Sequence, residues 1–187
     1  LLLSLIIFFV ISILEFINLT RKVIQNKILL NLSNLIFIFY ISFLFILFFY
    51  FTNFIQLKII AFTLLISCIV SDIGGFVFGK LFKGPKLTKI SPNKTYSGAI
   101  GSIISSGIFF SFAIFIFAEK FNLKILLIGI ITSLASQFGD LFFSYIKRKA
   151  KIKDTGNFLP GHGGVLDRLD GILFGLPIGF LSIKVLL

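Results

Sequence analysis

"LNLSNLIFIFYISFLFILFFYF", residues 30 to 51, carries no charged side chain over its whole length. A helix rising ~1.5 Å per residue needs about 20 such residues to cross a ~30 Å hydrocarbon core. Five further apolar runs of similar length flank it, roughly 1 to 18, 59 to 79, 98 to 118, 125 to 146 and 171 to 187. These runs lack the strict alternation of a membrane β-barrel, and an open sheet would leave backbone groups unsatisfied in lipid. Composition agrees: 57% of residues are hydrophobic, 27 are phenylalanine and only 13% are charged, too little polar surface to clothe a water-soluble domain. The expected fold is all-α, a polytopic integral membrane helical bundle of about six transmembrane helices, forming a single domain over residues 1 to 187.

The net charge of +11 would suit a nucleic-acid partner if the basic residues gathered on one folded face with aromatics between them. Instead they collect in alternate loops. The 20–27 loop has Arg21, Lys22 and Lys27; the 80–97 loop has Lys80, Lys83, Lys86, Lys89 and Lys94; the 147–170 loop has Lys147, Arg148, Lys149, Lys151, Lys153 and Arg168. The two intervening loops hold only Lys58, Lys120 and Lys124. Cytoplasmic loops are the ones that collect Lys and Arg, so the three rich loops are expected in the cytoplasm, with a lipid bilayer and no nucleic acid as partner. The chain has no methionine, and its opening run lacks a basic n-region and a small-residue cleavage site; we read that run as part of a span in a sequence missing its N-terminal start. Cys68, the one cysteine, has no partner for a disulfide and no metal-ligand spacing, and is read as packing.

Two acids fall inside spans. Asp72 precedes Lys80 by eight residues and Asp140 precedes Lys147 by seven, so each lies ~10–12 Å within the cytoplasmic end of its helix. Intramembrane acids are costly and usually face a wet cavity or a partner. The alternative is that each pairs with a lysine or caps a broken helix, Gly74, Gly75 and Gly139 beside them allowing close packing. Glu15, near the end of the first run, is expected to reach water and receives no role.

The 144–171 loop, "SYIKRKAKIKDTGNFLPGHGGVLDRLDG", contains what a polyphosphate and divalent-metal site needs. Asp167 and Asp170 offer hard oxygen ligands, and Mg²⁺ is typically held by one or two carboxylates together with substrate phosphates. Lys147, Arg148, Lys153 and Arg168 offer cations to phosphate oxygens. Gly161, Gly163 and Gly164 let backbone N–H groups approach an anion. Asp167 and Asp170 would share a face at the N-terminal end of the last span if it begins there; serving only as helix caps is the other reading. Upstream, Ser91, Asn93, Lys94 and Thr95 of "ISPNKTYSG" offer phosphate or nucleotide contacts. "GGFVFGK", residues 74–80, is rejected as a Walker loop, because Leu81 stands where a metal-binding Ser or Thr belongs and the run is a span, not a strand-to-helix turn.

These residues resemble the phosphatidate cytidylyltransferase (CDP-diacylglycerol synthase) family. Its signature is met by Ser144, Lys147, Arg148, Lys153, Asp154, Pro160, His162, Gly163, Gly164, Asp167, Arg168 and Asp170 at the family's spacings. "SDIGGFVFGKLF", "ISPNKT" and "SQFGDLFFS" follow the family's order, so the resemblance covers about residues 60 to 187. It implies Mg²⁺-dependent transfer of a cytidylyl group from CTP to phosphatidic acid, giving CDP-diacylglycerol and pyrophosphate.

Catalytic roles are implied for Asp140, Asp167, Lys147 and Arg148. Asp140 and Asp167 would be the metal ligands, with Asp170 and Asp72 of second rank and Asp170 alternatively orienting Arg168. Ser144, Lys153, Lys94, Thr95, Arg168, His162, Gly163 and Gly164 would bind substrate or phosphate; His162 stays open between phosphate donor, proton shuttle and loop anchor. Ser97 and Phe143 stand where many members carry acids. The amino-acid bias suggests a bacterial inner membrane with the site facing the cytoplasm, and homo-oligomerisation is left open. The alternatives are a CTP-dependent lipid or polyprenol kinase, or a non-enzymatic transporter or scaffold.

Overall fold

The computed structural model describes residues 2–119, 121–156 and 163–186. Six helices carry the fold: α1 (Leu2–Val23), α2 (Lys27–Thr52), α3 (Ile55–Phe82), α4 (Tyr96–Ala118), α5 (Leu123–Lys149) and α6 (Leu166–Leu186). Among the described residues there is no strand, and five helices, α2 to α6, are long and apolar enough to cross a membrane. Most of them extend past the apolar run that announced them. α6 begins at Leu166, not near residue 171, which brings Asp167 and Asp170 inside its first turns. Backbone hydrogen bonding continues into polar sequence, whereas hydropathy marks only the lipid-facing length.

The distribution of polarity is inverted relative to a water-soluble bundle. Ser71, Ser106 and Ser133 are fully buried, while Phe39 and Phe76 are 68% and 69% exposed. That is what a hydrocarbon surround selects: apolar side chains outward, small polar ones between helices.

The chain divides into two compact units, Leu1–Tyr50 with Phe142–Asp170, and Phe51–Leu141 with Gly171–Leu187. In the first, Phe16 of α1 stacks on Phe37 of α2 with centroids 3.7 Å apart, and Phe143 meets both edge-on at 6.5 Å. Phe143 is 2% exposed, so this position serves as aromatic packing. The Thr20 hydroxyl donates to Asn34 Oδ1 at 2.7 Å, tying α1 to α2.

In the second unit α3 and α4 approach through glycines. A Cβ on Gly98 would stand 2.6 Å from the Gly75 carbonyl oxygen, one on Gly101 would overlap Phe78, and one on Gly74 would overlap Ser105. Serines reach across from other helices: Ser71 and Ser133 share a buried hydrogen bond of 2.7 Å, and Ser106 donates to the Gly129 carbonyl at 3.0 Å. Cys68 is fully buried, and a Cβ on Gly175 of α6 would stand 2.6 Å from its sulfur. The sequence-based reading of Cys68 as packing is therefore met.

Candidate active site

In the second unit, the segment between α3 and α4 is shaped by its own backbone. Lys83 closes α3 with a left-handed φ of 44° and donates its N–H to Gly79 O. Leu87 N–H donates to Lys94 O at 2.7 Å, Lys94 N–H to Ser91 O at 3.1 Å and Tyr96 N–H to Pro85 O at 3.1 Å, so the segment doubles back on itself. Thr95 is then the N-cap of α4, its hydroxyl accepting from Gly98 N–H at 3.1 Å. The Ser97 hydroxyl accepts from Gly84 N–H at 3.3 Å.

This scaffold presents Lys94 to α5, where its ammonium forms an ion pair with Asp140. The pair is about one quarter exposed, open enough for exchange with a ligand. Around it lies a cavity of about 280 Å³ whose polar lining includes Asp72, Ser91, Asn93, Lys94, Gln137 and Asp140. Asp72 thus faces the same cavity as Asp140. Gln137 was not singled out by the sequence; its amide donates to Ala99 O at 3.3 Å and Ser133 Oγ at 3.2 Å, fixing it at the wall. Its place one turn before Asp140 was the available signal.

The second cluster belongs to the first unit and centres on Asp167, near the start of α6. Asp167 Oδ1 accepts from Lys147 Nζ at 2.8 Å, while Oδ2 accepts the N–H groups of Thr155 at 2.8 Å and Gly164 at 2.9 Å. Reaching back to Gly164, the carboxylate ties the segment that enters α6 to the helix's first turn. Lys147 is buried at 8% exposure and also lies 3.5 Å from Asp170 Oδ2, so one amine stands between two acids. Gly163 has φ +82°, a conformation in which a side chain is strained, and a Cβ there would be 3.0 Å from Asp167 Oδ2. The glycines were expected to bring N–H groups to an anion; the anion that Gly164 serves in the structure is Asp167 itself.

Arg148, Lys153 and Arg168 are exposed, and an Arg148 N–H donates to Ile152 O at 3.3 Å. Ser144 lies one turn beyond Asp140 on α5. His162, with Pro160 and Gly161, lies outside the described residues. Asp140 belongs to the second unit and Asp167 to the first.

One expectation is overturned. Glu15 does not reach water: it is 6% exposed, and its carboxylate accepts from the Thr155 hydroxyl and from the N–H groups of Val165 and Leu166. The signal was its cost, since an acid set in an apolar run needs partners.

Among the described residues no three His, Cys, Asp or Glu side chains gather closely enough to cage a metal. The donor sets that are present, Asp167 with Asp170 and Asp72 with Asp140, still suit Mg²⁺, which takes one or two carboxylates and completes its shell with substrate phosphates and water. A phosphate-free, all-protein metal cage does not fit these residues.

Residues 2–186 match the model of the Cytidylyltransferase family. The chain is similar to proteins named phosphatidate cytidylyltransferase: 44% identical over 124 residues to that of Helicobacter pylori, covering 66% of this chain and 45% of the relative. It is 44% identical over 129 residues to that of Rickettsia felis, covering 63% and 56%, and 46% identical over 113 residues to that of Staphylococcus haemolyticus, covering 58% and 43%. The chain spans about half the length of these curated relatives. With its helical architecture and acid–lysine clusters, this chain belongs to the cytidylyltransferase family.

Proposed function

We propose that the protein containing this chain transfers a cytidylyl group from CTP to phosphatidic acid, releasing pyrophosphate and forming CDP-diacylglycerol for phospholipid biosynthesis. The observation that carries this reading is Lys147, a buried amine held between Asp167 and Asp170 at the start of α6. A phosphate-binding cation and two hard oxygen donors at one point are what a nucleotide–metal site requires.

In the proposed reaction a phosphatidate oxygen attacks the α-phosphorus of CTP, a new P–O bond forms, and the bond to the bridging oxygen breaks to release pyrophosphate. The phosphate monoester is largely ionised near neutral pH, its second pKa being ~6, so no strong protein base is required. Lys147 and Lys94 supply donors to phosphate oxygens, with Arg148, Lys153 and Arg168 on the exposed side and Thr95 and Ser144 as polar neighbours. Asp167 with Asp170 in the first unit, and Asp140 with Asp72 in the second, are the carboxylates that would hold Mg²⁺, which when bound neutralises charge on the phosphates. The basic loops face the cytoplasm in this reading, where CTP is dissolved, and the bilayer is the inner membrane of a bacterium.

Full-length protein in detergent micelles, given phosphatidate, Mg²⁺ and CTP labelled at either the α or the γ phosphate, tests the reading. Label from the α position is expected in lipid. Entry of γ label instead would identify a lipid kinase, and no incorporation of either would favour a transporter or scaffold. Lys94→Met removes a cavity-lining cation, so KM for CTP is expected to rise about tenfold or more with folded yield retained. Unchanged steady-state constants would remove Lys94 from the nucleotide site.

A further inference from the structure

Glu15 belongs to α1, yet among the described residues its hydrogen-bond donors lie 140 to 151 residues later. Oε1 accepts Val165 N–H at 3.1 Å, and Oε2 accepts Leu166 N–H at 2.8 Å and the Thr155 hydroxyl at 2.8 Å. Among the described residues no Lys or Arg forms an ion pair with it. Its counter-charge is the start of α6, where backbone N–H groups lack helical partners and favour an acid.

The same stretch of backbone serves both Glu15 and Asp167. Thr155 gives its hydroxyl to Glu15 and its N–H to Asp167; Gly164 N–H goes to Asp167, and the next two N–H groups go to Glu15. Two glycines make room for this. A Cβ on Gly156 would stand 2.5 Å from Glu15 Oε1 and 3.0 Å from its Cδ, and a Cβ on Gly164 would overlap Glu15 Oε2 and Thr155 Oγ1. Neither glycine has a positive φ, so it is the volume of the Glu15 carboxylate, not backbone conformation, that excludes a side chain.

We propose that Glu15 is a positioning residue for the site: it locks segments 153–156 and 163–170 together and thereby keeps two backbone donors aimed at Asp167. It does not touch substrate. The link to catalysis rests on the reading of Asp167 as a site residue; the locking of the segments does not.

The test uses full-length protein in detergent micelles and two readouts, backbone hydrogen exchange in peptides covering 153–156 and 163–170, and kcat and KM measured separately. Glu15→Gln keeps the volume but turns one acceptor into a donor facing N–H groups, and Thr155→Val removes only the hydroxyl that Glu15 accepts. Either variant is expected to speed exchange in both segments about tenfold or more, since losing about one hydrogen bond shifts a local equilibrium by that order. kcat is expected to fall by a similar factor while KM for CTP stays within about twofold, the pattern of lost alignment.

Gly156→Ala should reproduce the exchange effect alone and add nothing to Glu15→Ala, because its clash is with Glu15. Unchanged exchange in Glu15→Gln and Thr155→Val, or additive effects of Gly156→Ala and Glu15→Ala, would overturn the proposal. If Glu15→Gln does not fold, Thr155→Val and Gly156→Ala decide it, since both leave Glu15 in place. Absence of cytidylyl transfer in the unmodified protein would sink the functional reading, while the exchange data would still decide the locking.

Discussion

Asp167→Asn is expected to lower turnover by about 100-fold or more, the scale reached when one preorganised charged group is removed from a reacting centre. The substitution keeps size and removes charge, but its amide also has two donors to place. If the nitrogen takes the Oδ1 position it faces the Lys147 ammonium, and if it takes the Oδ2 position it faces the N–H groups of Thr155 and Gly164. Either orientation sets donor against donor, at a local cost of about 1–3 kcal/mol. The helices themselves are not asked to move, so the purified protein should keep its yield and its elution profile. Turnover and folded yield measured on the same preparation check this. Equal collapse of both would show that Asp167 acts only as a cap for α6.

The largest effect on stability is expected at Gly98. A Cβ there would lie 2.6 Å from the Gly75 carbonyl oxygen and 3.2 Å from Thr95 Oγ1. The first obstacle is backbone, which cannot swing aside as a side chain can, so α3 and α4 would have to separate. Overpacking of this kind costs about 1–3 kcal/mol, and helices in lipid depend on close approach because hydrocarbon gives them little hydrophobic drive to associate. Gly98 also lines the cavity that holds Lys94 and Asp140, so Gly98→Ala should lower both the thermal midpoint and CTP binding. Gly107→Ala is the control: its new Cβ would meet side-chain atoms of Ile130 and Leu126 at 3.3 Å, and its nearest backbone neighbour, the Leu126 carbonyl oxygen, would lie at an ordinary contact distance of 3.7 Å. Equal shifts for the two variants would refute the close-packing account.

The helical fold was legible because an uncharged run such as 30–51 can satisfy its backbone in lipid only as a helix. The limits of the helices were less legible. α6 starts at Leu166, where Glu15 satisfies the N–H groups of Val165 and Leu166, a fact that involves a side chain on a distant stretch. Candidate site residues showed through where chemistry was concentrated locally, as at Lys147, Asp167 and Asp170. Glu15 did not, because a lone acid in an apolar run looks the same whether it reaches water or meets a partner 150 residues away. Gln137 was missed for a related reason: its importance lies in the wall it shares with Asp72 and Asp140, and no motif encodes a wall. Phe143 and Ser97, noted as departures from the family's acids, have packing and hydrogen-bonding work in the structure.

Cys68 has an experimental use that follows from its burial. As the chain's one thiol, sealed between helices and packed toward Gly175, it is out of reach of water-borne maleimides and methanethiosulfonates. A cysteine introduced at exposed Lys153 or Arg148 would therefore be the one accessible labelling point in this sequence. A spin label or fluorophore there would report the surroundings of the basic segment without first removing a thiol from this sequence.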